Sequence, residues 1–169
     1  MQINNKEIQT ISTNTIEAII SRNEIIQCIE QGVLDKENLV LISISEPIVD
    51  GYEDESLTDT QIQGFKDSLM VKFWDIEEDF GNYKIISDEI AKRIQDFIVK
   101  NIDNRFIIHC RAGQSRSAGV GKAVECLKFF GKGEEAKYNY LTSFNSEISA
   151  HSRYSPNLTV FDKIVKDYK

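Results

Sequence analysis

Residues 105–124 read RFIIHCRAGQSRSAGVGKAV. An apolar run, Phe106-Ile107-Ile108, leads into a short polar loop that opens at Cys110 and closes at Arg116; beyond it Ala118, Val120, Ala123, Val124 and Leu127 recur at near-helical spacing. The run suits a buried parallel strand with Cys110 at its C-terminal edge. Ser115 or Ser117 is placed to cap the first turn of the helix. The predicted unit is therefore a strand, a loop and a helix. Within the loop, the backbone N–H groups of Arg111, Ala112, Gly113, Gln114 and Ser115 can curl around a tetrahedral oxyanion, as successive amides do in anion-binding nests. Gly113 removes the steric penalty on a positive φ there. The helix turns its positive N-terminal end to the same point, which favours both a bound phosphate and a thiolate at Cys110. Arg116 adds a planar fork that holds two phosphate oxygens at once, a geometry a lysine ammonium lacks. Taken as a small buried apolar residue, as many free cysteines are, Cys110 would leave the arginine, glycine and serines beside it unexplained.

The remaining composition is that of an ordinary globular protein. With 169 residues, 41% hydrophobic, 28% charged and 2 prolines, one domain with a substantial core is expected, and disorder is not indicated. Met1 is followed by QINNKEIQT rather than a basic then apolar stretch, and no apolar run has the length of a membrane span, so neither a signal peptide nor a membrane segment is expected. Cys28, Cys110 and Cys126 are an odd set without paired-ligand spacing, which argues against a disulfide framework or a zinc site and predicts a reducing cytoplasm. Cys28 and Cys126 fall in helix-like patterns and are expected to be packing residues. A net charge of −7 and a pI near 4.9 argue against a broad grip on nucleic acid and slow the approach of polyanions. Nothing in the sequence signals an oligomeric state.

Strands and helices are expected to alternate along the chain. Residues 1–11 suit a short strand or hairpin at a sheet edge. From Thr13 to Gln31 the spacing of Ile16, Ile19, Ile20, Ile26 and Ile29 predicts one or two short helices, interrupted near Ser21-Arg22-Asn23 and stopped by Gly32. NLVLISISEP predicts a central strand. Residues 46–60 hold six acids and no Lys or Arg, which reads as a solvated loop in preference to an acidic flap over the site. SLMVKFWD predicts another strand, with Asp75 at its end, and SDEIAKRIQDFIVKN an amphipathic helix capped by Ser87 or Asp88. Residues 134–144 read as a helix, and a last helix is expected near Ser155-Pro156, with proline in its first turn. His151 reads as a surface histidine. The pattern as a whole predicts an α/β fold, a central, mainly parallel sheet flanked by helices, with the loop at a strand's C-terminal edge.

The fuller pattern, His109-Cys110-x-x-Gly113-x-Ser115-Arg116-Ser117 between an apolar run and a helix, resembles the signature of the cysteine-dependent protein tyrosine and dual-specificity phosphatases. LVLISISEP, LMVKFWDI, IAKRIQDFI and IIHCRAGQSRSAGVGKA also follow one another as in small phage and bacterial dual-specificity-phosphatase-like proteins, over residues 39–130, and YSPNLTVFDKI is similar to that family's entry to its C-terminal helix. The resemblance implies a dual-specificity-phosphatase-like fold and hydrolysis of phosphomonoesters without metal or cofactor. Its default substrates are phosphotyrosine and phosphoserine or phosphothreonine in proteins, by way of a cysteinyl-phosphate. It implies Cys110 as an accessible nucleophile, Arg116 and residues 111–115 as phosphate ligands, and Ser117 as a hydroxyl that helps the thiolate leave while also serving the helix cap. His109 would orient the loop or tune the thiolate, or be no more than a satisfied histidine at a strand end. Such cleavage needs a proton for the leaving oxygen, and the family places that acid upstream, at the end of the preceding strand. Asp75, 110 − 75 = 35 residues before the cysteine, fits; Asp79, 110 − 79 = 31 before it, is the alternative. Three rival readings use the same loop. A phosphate-binding module would turn over poorly, an RNA 5′-phosphatase is disfavoured by the acidic composition, and a rhodanese-like sulfurtransferase is disfavoured by Arg116-Ser117.

Overall fold

A computed structural model describes residues 1–169. The chain opens with a hairpin of β1 (Gln2–Ile3) and β2 (Lys6–Glu7). Asn4 and Asn5 turn it, with φ of 51° and 61°, left-handed values that asparagine tolerates better than most side chains. The hairpin was expected at a sheet edge; instead its strands pair only with each other.

The next segment departs from expectation. Residues 16–21 were predicted helical, but they form β3 (Ile16–Ser21), and the helix begins only at α1 (Arg22–Glu30). Ile16, Ile19 and Ile20 do fall at helical spacing. However, Ile16, Ala18, Ile19 and Ile20 are all buried, so the strand is covered on both faces and shows no alternation from which to read it. α1 has a full capping box, with Ser21 and Glu24 each bonding the other's backbone N–H. β4 (Leu39–Ser45) follows, then a loop, the single turn α2 (Asp59–Ile62), β5 (Asp67–Lys72), α3 (Asp88–Lys100) with Ser87 as its cap, and β6 (Arg105–Cys110). The second half is helical: α4 (Arg116–Phe129), α5 (Glu134–Ser143), the short α6 (Glu147–Ala150) and α7 (Leu158–Ile164).

The central sheet has the order β3-β6-β4-β5 and every pair in it is parallel. Its two faces feed separate apolar clusters. Val40, Ile42 and Ile44 of β4 join Phe106, Ile108 and Cys110 of β6 on the side of α3, α4 and α7, while Leu39, Leu41 and Ile107 face α1 and the hairpin. The period of two thus survives inside runs that look uniformly apolar. Ser43 and His109, paired across β4 and β6, share the second face.

The last helix also starts later than the sequence suggested. Pro156 lies outside it, because Asn157 is the better cap: its side chain accepts the Val160 N–H at 3.1 Å, and the helix begins at Leu158. α4 is buried on nearly all sides and runs close beneath α7. A Cβ on Gly119 would lie 2.5 Å from the Asn157 carbonyl oxygen. Glycine-to-alanine in a helix ordinarily stabilises; here the sign should reverse. Gly119→Ala is expected to lower stability by about 1–3 kcal/mol, read from urea unfolding, and an unchanged or raised midpoint would contradict this packing.

Candidate active site

β6 carries Cys110 to the sheet's edge, but the residue is only 2% exposed. The thiol lies at the floor of the loop, not open at the surface as expected. Above it, every carbonyl from Arg111 to Ser115 is held from outside. Arg111 O accepts the Arg22 N–H at 3.2 Å, Gln114 O that of Ser155 at 2.9 Å, and Ser115 O those of Gly119 and Asn157 at 2.9 and 3.1 Å. Ala112 O and Gly113 O accept from the Arg153 guanidinium at 3.5 and 3.2 Å. In a trans peptide the carbonyl and the following N–H point to opposite sides, so outward carbonyls turn the amides inward. The N–H groups of Ala112, Gly113, Gln114 and Ser115 donate to no protein atom. The result is a nest of free donors at the N-terminus of α4.

Gly113 is required twice over. Its φ is 67°, and a Cβ would lie 2.3 Å from the Ile20 carbonyl carbon, where the loop crosses the end of β3. Arg153 is fixed in turn by ion pairing with Glu24. Burial works to raise the Glu24 carboxyl, but the hydrogen bonds from Arg153 and Ser21 outweigh it and leave the group below the usual carboxylate range.

Arg116 is 3% exposed. Its Nη1 donates to Phe73 O at 2.8 Å and its Nη2 to Glu46 Oε1 at 3.3 Å, while its buried Nε has no partner. A buried donor left unpaired is costly, and this one belongs to the residue that closes an anion nest. The serines do different work from that predicted. Ser115 occupies the cap position of α4, but neither hydroxyl makes the cap bond: that of Ser117 lies 3.1 Å from Cys110 Sγ, and Ser115 Oγ donates to Asp75 Oδ1 at 2.7 Å. Asp75 Oδ1 also accepts from Asn157 Nδ2 at 3.0 Å, leaving Oδ2 without a protein partner. The structure therefore ties Asp75 to the loop. Asp79 is engaged elsewhere, accepting the Ile85 N–H at 2.9 Å, and that bond chiefly holds its carboxyl below the usual range.

His109 is buried. Its Nε2 lies 2.6 Å from Ser43 Oγ and its Nδ1 3.4 Å from the Cys110 carbonyl oxygen. A carbonyl can only accept, so Nδ1 carries the proton and Nε2 accepts from the serine. Burial, with smaller contributions from the Arg22 and Arg116 charges, pushes the imidazole down to about 4. His109 is thus a neutral cross-strand tie one residue from the thiol. The side chains of Arg111 and Gln114 are exposed, and Arg111 lies 3.8 Å from both Glu46 and Glu55. The acidic segment was expected to be a solvated loop. Its tip is, but these two glutamates, on either side of the tip, meet the site. His151 packs its ring on Tyr154, and its Nδ1 accepts the Arg153 N–H at 3.1 Å.

Sequence reasoning missed Glu46, Arg153 and Asn157. Asn157 left a signal, as a capping residue type just before an apolar-periodic run. Arg153 left none, because Glu24 lies 129 residues away.

No protein-family model matches the sequence, and no curated protein matches it. Solved structures do. A crystal structure of PTPMT1 in complex with PI(5)P superposes with a TM-score of 0.52 at 18% identity, over 90% of this chain and 88% of that one. The human tyrosine phosphatase-like serine/threonine/tyrosine-interacting protein gives a TM-score of 0.49 at 19% identity, over 79% and 78%. The Yvh1 phosphatase domain from Chaetomium thermophilum gives 0.44 at 15%, over 80% and 79%. The PTPMT1 likeness establishes the fold, a dual-specificity-phosphatase-like α/β sheet flanked by helices.

The buried imidazole makes stability depend on pH. Its folded value, about 4, lies below the ordinary 6.5, so between those pH values the unfolded chain takes up a proton that the folded chain does not. Stability should fall as pH drops through that window, by up to roughly 3 kcal/mol from this group, with no contribution from it above the window. In His109→Asn that component should vanish. Stability of wild type minus variant, from urea unfolding across the window, should slope upward with pH; a flat difference would show His109 protonated in the fold.

Proposed function

We propose that this chain is a cysteine-dependent phosphatase that hydrolyses phosphomonoesters, with phosphotyrosine and phosphoserine or phosphothreonine of proteins as its substrates. The observation that carries the reading is the anchored loop. Inward amides without partners and the unpartnered Arg116 Nε surround a floor formed by Cys110 and Ser117. Such donors suit the oxygens of a phosphoryl group and the charge that shifts during its transfer. The parallel sheet supports it too, since the site lies beyond the strands' C-terminal edge, where α/β folds bind ligands.

In this reading the Cys110 thiolate attacks phosphorus, the S–P bond forming as the bond to the leaving oxygen breaks. The amides and Arg116 hold the equatorial oxygens. The proton for the leaving oxygen comes from Oδ2 of Asp75, because Oδ1 is occupied by Ser115 and Asn157. Water then attacks the cysteinyl-phosphate, giving its proton back to Asp75. The S–P bond breaks, and the Ser117 hydroxyl, 3.1 Å away, donates to the departing thiolate. His109, neutral and tied to Ser43, positions the strand end without exchanging protons. The three cysteines are all free, which supports a reducing compartment such as the cytoplasm, and no helix is long and apolar enough to cross a membrane.

Cys110→Ser should abolish turnover of a generic aryl phosphate while inorganic phosphate still binds, because a serine hydroxyl fits the space but is scarcely ionised near neutral pH. Calorimetry with phosphate and a release assay separate the two. Turnover near wild type in the variant would remove Cys110 from the chemistry.

Asp75→Ala should slow alkyl phosphates by about 100-fold or more, and activated aryl phosphates far less, since a good leaving group departs with little protonation. Asp79→Ala should leave that leaving-group dependence as it is. If the dependence follows Asp79 instead, the acid has been misassigned.

A further inference from the structure

Both mouths of the loop are acidic, and one is also aromatic. Beside Arg111 lies a groove of about 250 Å³ whose lining includes Glu46, Glu53, Glu55, Tyr52, Trp74 and Tyr83. It is continuous with the loop, since Arg111 follows Cys110 and Glu46 also holds Arg116 Nη2. Arg111 lies between Glu46 and Glu55, Lys72 is taken by Asp54, and no cation of the chain pairs with Glu53. Trp74 and Tyr83 meet edge to face, with centroids 4.8 Å apart, while Tyr52 is 79% exposed. On the far side of Ser115 a second depression is lined by Asp75, Glu77 and Glu78 and has no basic residue in its lining.

Resting on the phosphatase reading above, we propose that the groove beside Arg111 receives the side chain of an arginine flanking the phosphorylated residue of a peptide substrate. The volume is below the roughly 300–1,000 Å³ that encloses a drug-sized ligand, and suits one long side chain. A guanidinium satisfies both parts of the lining. It stacks on aromatic faces and presents a fork to carboxylates, where a lysine ammonium does only the second well. Arg111 and Arg116 offset Glu46 and Glu55, so it is Glu53, with no cation of its own, that disfavours a second phosphate next to the first, as in polyphosphorylated lipid headgroups and RNA ends. The loop thus selects phosphate, and the rim selects what surrounds it.

The test is kcat/KM on phosphotyrosine peptides identical except for Arg, Ala or Glu moved through the positions flanking the phosphotyrosine. At one or more positions arginine should exceed alanine by about tenfold and glutamate by more, with the gap narrowing at high salt. In Glu53→Gln and in Tyr52→Ala, both exposed and away from the core, the arginine-to-alanine ratio should shrink toward about twofold. The wild-type series stands even if a variant misfolds. Hydrolysis of peptides with no arginine preference, or a preference untouched in two folded variants, overturns the inference while leaving the phosphatase reading intact. So does a higher kcat/KM on phosphoinositide vesicles, the ligand class held by the PTPMT1 structure, or on 5′-phosphorylated RNA. If the wild type releases no phosphate even from a generic aryl phosphate, the underlying reading fails, and this one with it.

Discussion

The outward anchoring of five consecutive loop carbonyls is the constraint on which the site depends. Arg22, Arg153, Ser155, Asn157 and the first turn of α4 each take one or two of them. An isolated loop would be free to rotate these peptides and solvate both sides. Here rotating any one would break a bond to a segment that is itself held: Arg22 begins α1, Asn157 caps α7, and Arg153 is paired to Glu24. The amides are therefore preorganised, and an anion need not order them on arrival. A chain of net charge −7 in this way presents a concentrated positive potential without surrounding itself with lysines.

Two closures make that anchoring possible. Gly113 crosses the end of β3 at a distance no Cβ could occupy, which brings Arg22 N–H within reach of Arg111 O. Gly119 lets α4 approach the start of α7 closely enough for Asn157 to reach Ser115 by its backbone and Asp75 by its side chain. Asn157 therefore caps a helix, holds a loop carbonyl and positions a carboxylate at once. The acid candidate and the anion loop are tied to one residue, so their relative placement does not rely on the exposed segment behind Asp75.

Arg116 shows how charge is handled around this nest. Its guanidinium is buried, aimed by the Phe73 carbonyl and Glu46, with Nε left without a partner. Glu46 balances part of its charge and also lines the neighbouring groove. The nest of free amides and a rim of carboxylates thus share a residue. The acidic stretch 46–60 is coupled to the loop through Glu46 and Glu55, while the exposed tip between them remains in water.

The sequence by itself determined the strand, loop and helix around Cys110, the positive φ at Gly113, the parallel α/β class and the candidate pair Cys110 and Arg116. These are local matters of spacing and residue chemistry, legible wherever neighbours in sequence act together. Ile16 to Ser21 were misread because a strand buried on both faces loses its period, and only pairing with β6 distinguishes it from a helix. Ser115 does stand at the cap of α4, but the cap bond itself is not made by either serine, because Asp75 and Cys110, brought close by folding, take their hydroxyls. Glu46, Arg153 and Asn157 act on the site across 70, 40 and 82 residues through Arg116, Gly113 and Asp75 respectively. No periodicity encodes such separations. Tertiary structure alone decided them, because which donors reach which carbonyls depends on where β3, α1 and α7 end in space.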